Sequence, residues 1–378
     1  MFLESSAVNF STIEPEQVKK IQVRSSRVPL ARLGRGKGEG SRRRRQTMQE
    51  DKMLRILLAL VSVLSISSVL SHANAAPMRI GSAGLSGEFL PLWIAQDKRI
   101  FKKYGFDTEV ITFQGGPLAV QALVSGSINF HLGGHSSIID AKMQGADTAT
   151  LAVFIDSLPY TLIAAQKIKS AGQLNGSRFA VSRLGSVSDL SLRIALRNMG
   201  INPEKEAVIL GIGDQTARFS ALRSGTVDAT VISPPLTVTA RKLGFNLITS
   251  FQDAGITWAY NSIDTTIDYA RQNRDTVLNF LKAFIEGNAY IRKNKEESLP
   301  VLSHWMRLND REALDETYDY LLKILPKKPY ASDNGIQAEL DAIAPRNPRA
   351  KQFKPQDFTD MSFLREIDQS GFIDKAFQ

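Results

Sequence analysis

Cysteine is absent from all 378 residues. That excludes disulfide frameworks, cysteine nucleophiles, thiolate metal sites and attachment through a lipid-modified N-terminal cysteine. Histidine is scarce: His72, His131, His135 and His304 form no metal-binding motif, and neither a metal nor a cofactor is expected. No G-x-S-x-G elbow, phosphate loop or nucleophile–base pair is found, so no enzyme activity is indicated. An excess of positive charge is missing where it would count. The chain carries 47 Lys/Arg and 38 Asp/Glu, a net +9, but residues 1–75 hold 13 and 6 of these. The remainder, 34 against 32, is nearly neutral, and a basic face for nucleic acid is not expected.

What is present is a globular body. An apolar fraction of 43% excludes disorder for most of the chain, and 378 residues predict two core-bearing units. Ahead of the body stands a leader. Lys52 and Arg55 precede an apolar stretch over 56–70, and Ala73-Asn74-Ala75 is an A-x-A cleavage signal. The stretch is too short and too serine-rich for a membrane span, so 53–75 is expected to be a secretory signal peptide. Residues 1–52, with Arg42-Arg43-Arg44-Arg45 and a run of glycines, fit a start codon assigned too far upstream or a disordered extension. Met48 and Met53 are both placed to initiate.

Internal similarity predicts the architecture. QALVSGSIN at 121–129 is repeated as SALRSGTVD at 220–228, an offset of 99 that Ala141/Ala240 and Gly145/Gly244 maintain. Each copy reads as a helix ending in A-L-x-S-G, a buried strand (130–134 and 229–233), another helix and a glycine. Earlier strands are expected over 78–82 and 177–181, and a strand with a glycine-containing loop over 109–116 and 207–214. The helix over 90–104 should stop at Gly105, and a second should run to Met199 and stop at Gly200. Alternating strand and helix at this spacing predict two α/β units built from parallel βαβ segments. Segment 160–166 has strand character and joins the units. From Ile267 onward the chain reads as helical, with Val277, Phe280, Leu281, Phe284 and Ile285 as a core stripe and Pro326, Pro329 and Pro345 as breaks.

The GLSG loop (84–87), LPLWIAQDKRIFKKYGFDTEV (90–110), the TFQGG loop (112–116), ALVSG (122–126) and AGQLNGSRFAVSRLGSVSD (171–189) together resemble the nitrate/sulfonate/taurine/bicarbonate group of ABC-transporter substrate-binding proteins. The resemblance covers roughly 79–250 well and the C-terminal helices loosely. It implies an α/β fold of the type II periplasmic binding class: two α/β lobes, two crossovers, a cleft between them and C-terminal helices. Lobe one is expected over 76–165 plus 262–378, lobe two over 166–261. The implied function is a periplasmic receptor, acting as a monomer, that binds a small anionic or heterocyclic solute and delivers it to an ABC permease in the inner membrane. Two other readings stand beside it: a ligand-binding sensor module, and an enzyme acting on a pyrimidine precursor. The second draws on thiamine-pyrimidine synthase, a relative on this fold whose chemistry depends on a cysteine-containing iron motif that this chain lacks.

In open α/β sheets ligands bind beyond the C-terminal strand ends, where helix N-termini offer unpaired N–H groups. Lobe one then contributes Ser86, Gly87 and Glu88; Gln114, Gly115 and Gly116; and Gly134, His135 and Ser136. Lobe two contributes Arg183, Gly185, Ser186 and Ser188, then Asp214 and Gln215, with Ser233-Pro234-Pro235 behind. Several have two readings. Glu88 caps its helix or accepts an amine or amide; Arg183 is a counter-charge or a surface residue; Gly115-Gly116 makes a tight turn or lets a ligand approach. His135 is read as a packed or surface histidine before a ligand residue.

The leader makes a direct prediction. N-terminal sequencing of periplasmic protein should find Ala76 first, and expression from Met53 should export as well as expression from Met1. A chain that retains 56–70 would refute cleavage.

Overall fold

The computed structural model describes residues 77–251 and 257–378. The signal peptide read over 53–75 and the segment 1–52 before it lie outside them. Ten strands are described: β1 (Met78–Ser82), β2 (Thr108–Thr112), β3 (Phe130–Gly134), β4 (Thr148–Ser157), β5 (Thr161–Ala164), β6 (Arg178–Val181), β7 (Val208–Gly211), β8 (Ala229–Ile232), β9 (Asn246–Ser250) and β10 (Thr257–Thr266). They form two five-stranded sheets, ordered β2-β1-β3-β10-β4 and β7-β6-β8-β5-β9. In each, three parallel strands are followed by one antiparallel strand from the other half of the chain: β10 beside β3 and β4, β5 beside β8 and β9.

The sequence repeat is a repeat of register. Met78 pairs with Thr108 and Arg178 with Val208, partners thirty residues apart in both copies. Ile80 pairs with Phe130 and Phe179 with Ala229, fifty apart in both. The A-L-x-S-G motif has a physical cause. Its serine hydroxyl donates to a carbonyl three residues back, Ser125 to Ala122 at 3.0 Å and Ser224 to Ala221 at 3.1 Å. Its glycine then turns the chain out of the helix at φ +74° in both copies. Asn129 and Asp228, which close the motif, each accept the backbone N–H of the first sheet strand's arginine, Arg79 and Arg178.

Two expectations are corrected. The boundary drawn at 165/166 and 261/262 is displaced, because β5 pairs entirely within the second sheet and β10 already pairs with β4 at Thr257. Each sheet takes its antiparallel strand from across the molecule, so the chain crosses between Ser157 and Thr161 and again between Ser250 and Thr257. The helix over 90–104 is broken into Leu90–Asp97 and Ile100–Lys103 by Arg99 in the left-handed region at φ 56°. The break sends Ile100 and Phe101 into the core, where both are buried.

The C-terminal helices pack on the first sheet. In the helix Arg274–Lys293 the stripe Val277, Phe280, Leu281, Phe284 and Ile285 is at most 1% exposed. Phe280 stacks on Phe130 of β3 with ring centroids 3.9 Å apart, and Phe284 meets Phe154 of β4 at 5.1 Å. Burial of each phenylalanine stabilises by roughly 1.5–3 kcal/mol. No described helix is long and apolar enough to cross a membrane.

The shared glycine turn is testable. An added Cβ at Gly225 meets nothing within 4 Å, so only backbone strain resists substitution. Gly225→Ala should lower unfolding free energy by roughly 1–2 kcal/mol in denaturant titration, and Gly225→Asn by less.

Candidate functional site

The two sheets point the C-terminal ends of their parallel strands at one cavity of about 50 Å³. Lobe one lines it with residues 83–86, with Glu88 and Phe89, and with Gly116, Gly134 and Ser137. Lobe two adds Ser182, residues 186–188, Asp214, Gln215 and Arg218. Tyr160, on the first crossing, and Tyr260 and Asn261, on β10 just after the second, complete it.

Of the candidate residues, Ser86, Glu88, Gly116, Ser186, Ser188, Asp214 and Gln215 line the cavity, as does Gly134. Ser233 stands directly behind, its backbone N–H donating to Gln215 Oε1 at 2.6 Å. Gly115, at φ +114°, lies where a Cβ would come within 3.3 Å of Ser182 and Arg183, so it permits the two lobes to approach each other. Gln114 is exposed, and its Oε1 bridges the lobes by accepting the Asp214 N–H at 3.1 Å. Gly87 and Gly185 are loop positions beside the cavity rather than on its wall. A Cβ on Gly87 would strike Thr317 at 2.8 Å, and Gly185 donates its N–H to Asp189 at 2.9 Å.

Three candidates face elsewhere. Arg183 is exposed and does not line the cavity, because the strand-to-helix turn sends its side chain over the rim against Gly115. His135 is fully buried, with Nδ1 2.6 Å from Glu339 of the helix Asp333–Ile343. Burial opposes its charge, but the Glu339 carboxylate holds its pKa above the usual imidazole range. Ser136 follows it, buried and away from the cavity. The reason is helical phase: His135–Met143 turns Ser137 toward the cleft and its two predecessors into the protein.

The cation on the wall is Arg218, which sequence reasoning missed. It lies in the second turn of the helix Gln215–Arg223 and is 1% exposed. Its Nη2 donates to Val231 O at 3.0 Å and its Nη1 to Gly213 O at 3.4 Å, while its guanidinium lies 5.8 Å from the Tyr160 ring centroid. Its Nε is buried without a hydrogen-bond partner. The available signal was its position one turn after the Asp214 N-cap, where the repeat carries Ala119 in the other lobe. Tyr160 and Tyr260, in T-shaped contact at 5.3 Å, were missed too, because only the crossings bring residues a hundred apart together.

Glu88 is the acid opposite. It is 1% exposed; Ser86 donates to its Oε2, and its Oε1 has no partner. Burial pushes its pKa up to about 7, against the Ser233 hydroxyl, its own backbone N–H and the Arg218 charge. Gln215 Nε2 in turn donates to Ser86 Oγ and to Ser233 Oγ, both at 2.9 Å. A hydrogen-bond chain therefore runs from lobe two through Ser86 to the Glu88 carboxyl. A second cluster caps the helix Val187–Asn198: Ser186 Oγ accepts the Asp189 N–H at 3.4 Å, and Ser188 Oγ donates to Ser182 Oγ at 3.1 Å. Burial raises the phenols of Tyr160 and Tyr260, which stay neutral. Among the described residues, no cluster of acids and histidines is placed to hold a metal ion.

Two sheets of this order, joined by two crossings with a polar cavity between them, define the periplasmic-binding-protein fold. The alkanesulfonate-binding protein SsuA from Xanthomonas axonopodis pv. citri, bound to MOPS, superposes on this fold with a TM-score of 0.61 and 20% identity, covering 75% of this chain and 96% of that one. Residues 86–298, more than half of the chain, match the family model described as NMT1/THI5 like, and the chain belongs to that family. Among relatives, a protein of Bacillus subtilis (strain 168) provisionally named binding protein YtlA is 24% identical over 216 residues, 56% of this chain and 65% of that protein. This chain thus spans just under two thirds of that relative's length. A protein of Escherichia coli (strain K12) provisionally named an aliphatic sulfonates-binding protein is 27% identical over 262 residues, 67% of this chain and 79% of that protein.

The raised acid sets a pH dependence. A carboxyl whose folded pKa lies above its unfolded value of 4.5 keeps its proton on folding, so its contribution falls as pH rises from about 4.5 to about 7. Glu88→Gln removes that loss. The variant should unfold at higher denaturant than the parent at pH 8, by up to about 3 kcal/mol, with the gain vanishing near pH 4. A gain that persists at pH 4 would assign the effect to packing.

Proposed function

We propose that this chain is a periplasmic receptor that closes over one small solute and presents it to an ABC importer, with no turnover. The observation that carries the reading is the cavity itself. It stands between two lobes already in hydrogen-bond contact through Gln215 and Ser86, and two of its lining residues, Arg218 and Glu88, each have a buried polar atom without a partner. Buried polar atoms left unpaired cost about 1–3 kcal/mol each, and a solute held between the lobes relieves both. The names of the Escherichia coli and Xanthomonas proteins support a sulfonate or similarly anionic solute, and Arg218 is the residue to receive it.

Closure of this kind is a hinge motion about the two crossings. The cavity of about 50 Å³ has room for roughly three to five waters, so a solute of more than a few heavy atoms holds the closed lobes further apart than here, though closer than in the open form. A closed pair of lobes presents a composite surface to the membrane partner that the open pair does not. Lobe one is assigned its C-terminal helices, and these reach lobe two through Arg346–Asp189 at 2.7 Å and Glu316–Arg241 at 2.7 Å.

Native mass spectrometry of protein taken from the periplasm without unfolding should find one small molecule per chain. Returned to stripped protein at a hundred times its dissociation constant, that molecule should stabilise the fold by roughly 2.7 kcal/mol and reduce the radius of gyration. Unchanged scattering would count against closure, and conversion of the molecule on prolonged incubation would make the chain an enzyme.

A further inference from the structure

Glu88 is surrounded by donors on the side it already uses. The Ser86 hydroxyl donates to Oε2, and the Ser233 hydroxyl, the backbone N–H of Glu88 and the Arg218 charge all favour the ionised form. Only burial opposes it. No neighbour accepts a proton from this carboxyl in the hydrogen bonds the structure makes, so the surroundings suit a carboxylate short of one donor. That donor is missing at Oε1, and Glu88 is one of the residues lining the cavity. Across the cleft, Arg218 Nε is a buried donor short of one acceptor. An orphan acceptor on one lobe and an orphan donor on the other define the hydrogen-bonding complement of whatever lies between them.

From this geometry we propose that Glu88 accepts an N–H group of the solute while Arg218 Nε donates to an acceptor on it, so that the receptor selects solutes bearing both over simple anions. The inference rests on the receptor reading and names the chemical class of its solute. A site built to receive an N–H group rejects the analogue lacking it, because the buried carboxylate is then left unpaired. Simple anions would instead require Glu88 to take up a proton and donate it. The two cases have opposite proton bookkeeping: an N–H solute ionises Glu88 and releases a proton near pH 7, whereas an acceptor-only anion takes one up. The ionisable groups facing Glu88 are Arg218 of Gln215–Arg223, Tyr160 on the first crossing, Tyr260 on β10 and Tyr320 of the helix Arg311–Ile324. The three phenols are raised by burial, which leaves Glu88 as the one of these that exchanges a proton near neutrality.

The test uses three probe pairs that differ in their N–H groups: 2-aminoethanesulfonate and ethanesulfonate, 4-aminobutanoate and butanoate, uracil and 1,3-dimethyluracil. Each is titrated calorimetrically into the mature chain and into Glu88→Gln at pH 7, in two buffers of different ionisation heat. The N–H member of at least one pair should bind the parent ten times or more tighter than its partner, with a proton released. Glu88→Gln should bring the two members within threefold of each other and abolish the release. Equal binding within every binding pair, a ratio that survives in Glu88→Gln, proton uptake, or binding of sulfate or nitrate alone would overturn the inference and leave the receptor reading standing. Should no probe bind, the molecule retained by periplasmic protein decides: one without an N–H group overturns the selectivity. A chain that retains nothing and binds no probe overturns both.

Discussion

Each sheet in this chain is completed by a strand from the opposite half of the sequence, and the rest of the structure follows from that exchange. A strand lodged between two others has its backbone N–H and C=O groups paired on both edges, so it cannot leave without breaking two ladders. β5 is held in this way between β8 and β9, and β10 between β3 and β4. The chain must therefore cross twice, and the two crossings put Tyr160 and Tyr260 side by side on the cavity wall. The exchange joins the lobes while leaving each its own sheet. The cavity lies beside Tyr160 of the first crossing and Tyr260 of β10.

Within the cleft the decisive quantity is the cost of burying charge. Arg218 meets part of it by donating to two backbone carbonyls of its own lobe, at Gly213 and Val231. Glu88 meets part of it through Ser86, which is itself held by Gln215 from the other lobe. Neither is fully satisfied, and neither touches the other in an ion pair. Such an arrangement costs stability in the empty cleft, and on the reading proposed above a ligand that pairs both atoms returns it. By contrast, His135–Glu339 and His131–Asp264, at 2.6 and 2.8 Å, are fully buried pairs within lobe one and serve its core. His131 and His135 keep Nε2, and Glu339 keeps Oε1, without a partner as well, so it is the cavity beside Glu88 and Arg218 that sets the cleft residues apart.

The loops were legible as loops, and the side chains on them only in part. Ser86, Glu88, Ser186, Ser188, Asp214 and Gln215 were found because a residue that opens a helix after a parallel strand sits at the cleft whatever its own chemistry. Arg183 was chosen on charge and proximity, but it precedes the helix by four residues, and the turn there directs it over the rim. Arg218 stands three residues inside its helix, where helical phase returns a side chain to the face of the N-cap. An i, i+4 count from Asp214 would have found it. Ser136 was misplaced for want of the same phase count, since Ser137 is the residue turned to the cleft, while His135 is the packed histidine of its first reading.

By itself the sequence determined the α/β class, the duplication, the helical C-terminal region and the places where helices begin facing the cleft. These are encoded locally: in the period of apolar residues, in serine and glycine at helix ends, and in a 99-residue offset that the strand registers repeat. Only the tertiary structure decided which strand completes which sheet, that two tyrosines a hundred residues apart meet, and which arginine is buried. Pairing between distant strands depends on closing long loops and on matching edges, neither of which leaves a local trace. The burial of a charge is likewise set by what the rest of the chain places around it. Arg183 and Arg218 both stand near the start of a helix at the cleft, but only Arg218 is enclosed, by the Gly213 and Val231 carbonyls of its own lobe and the Tyr160 ring of the crossing.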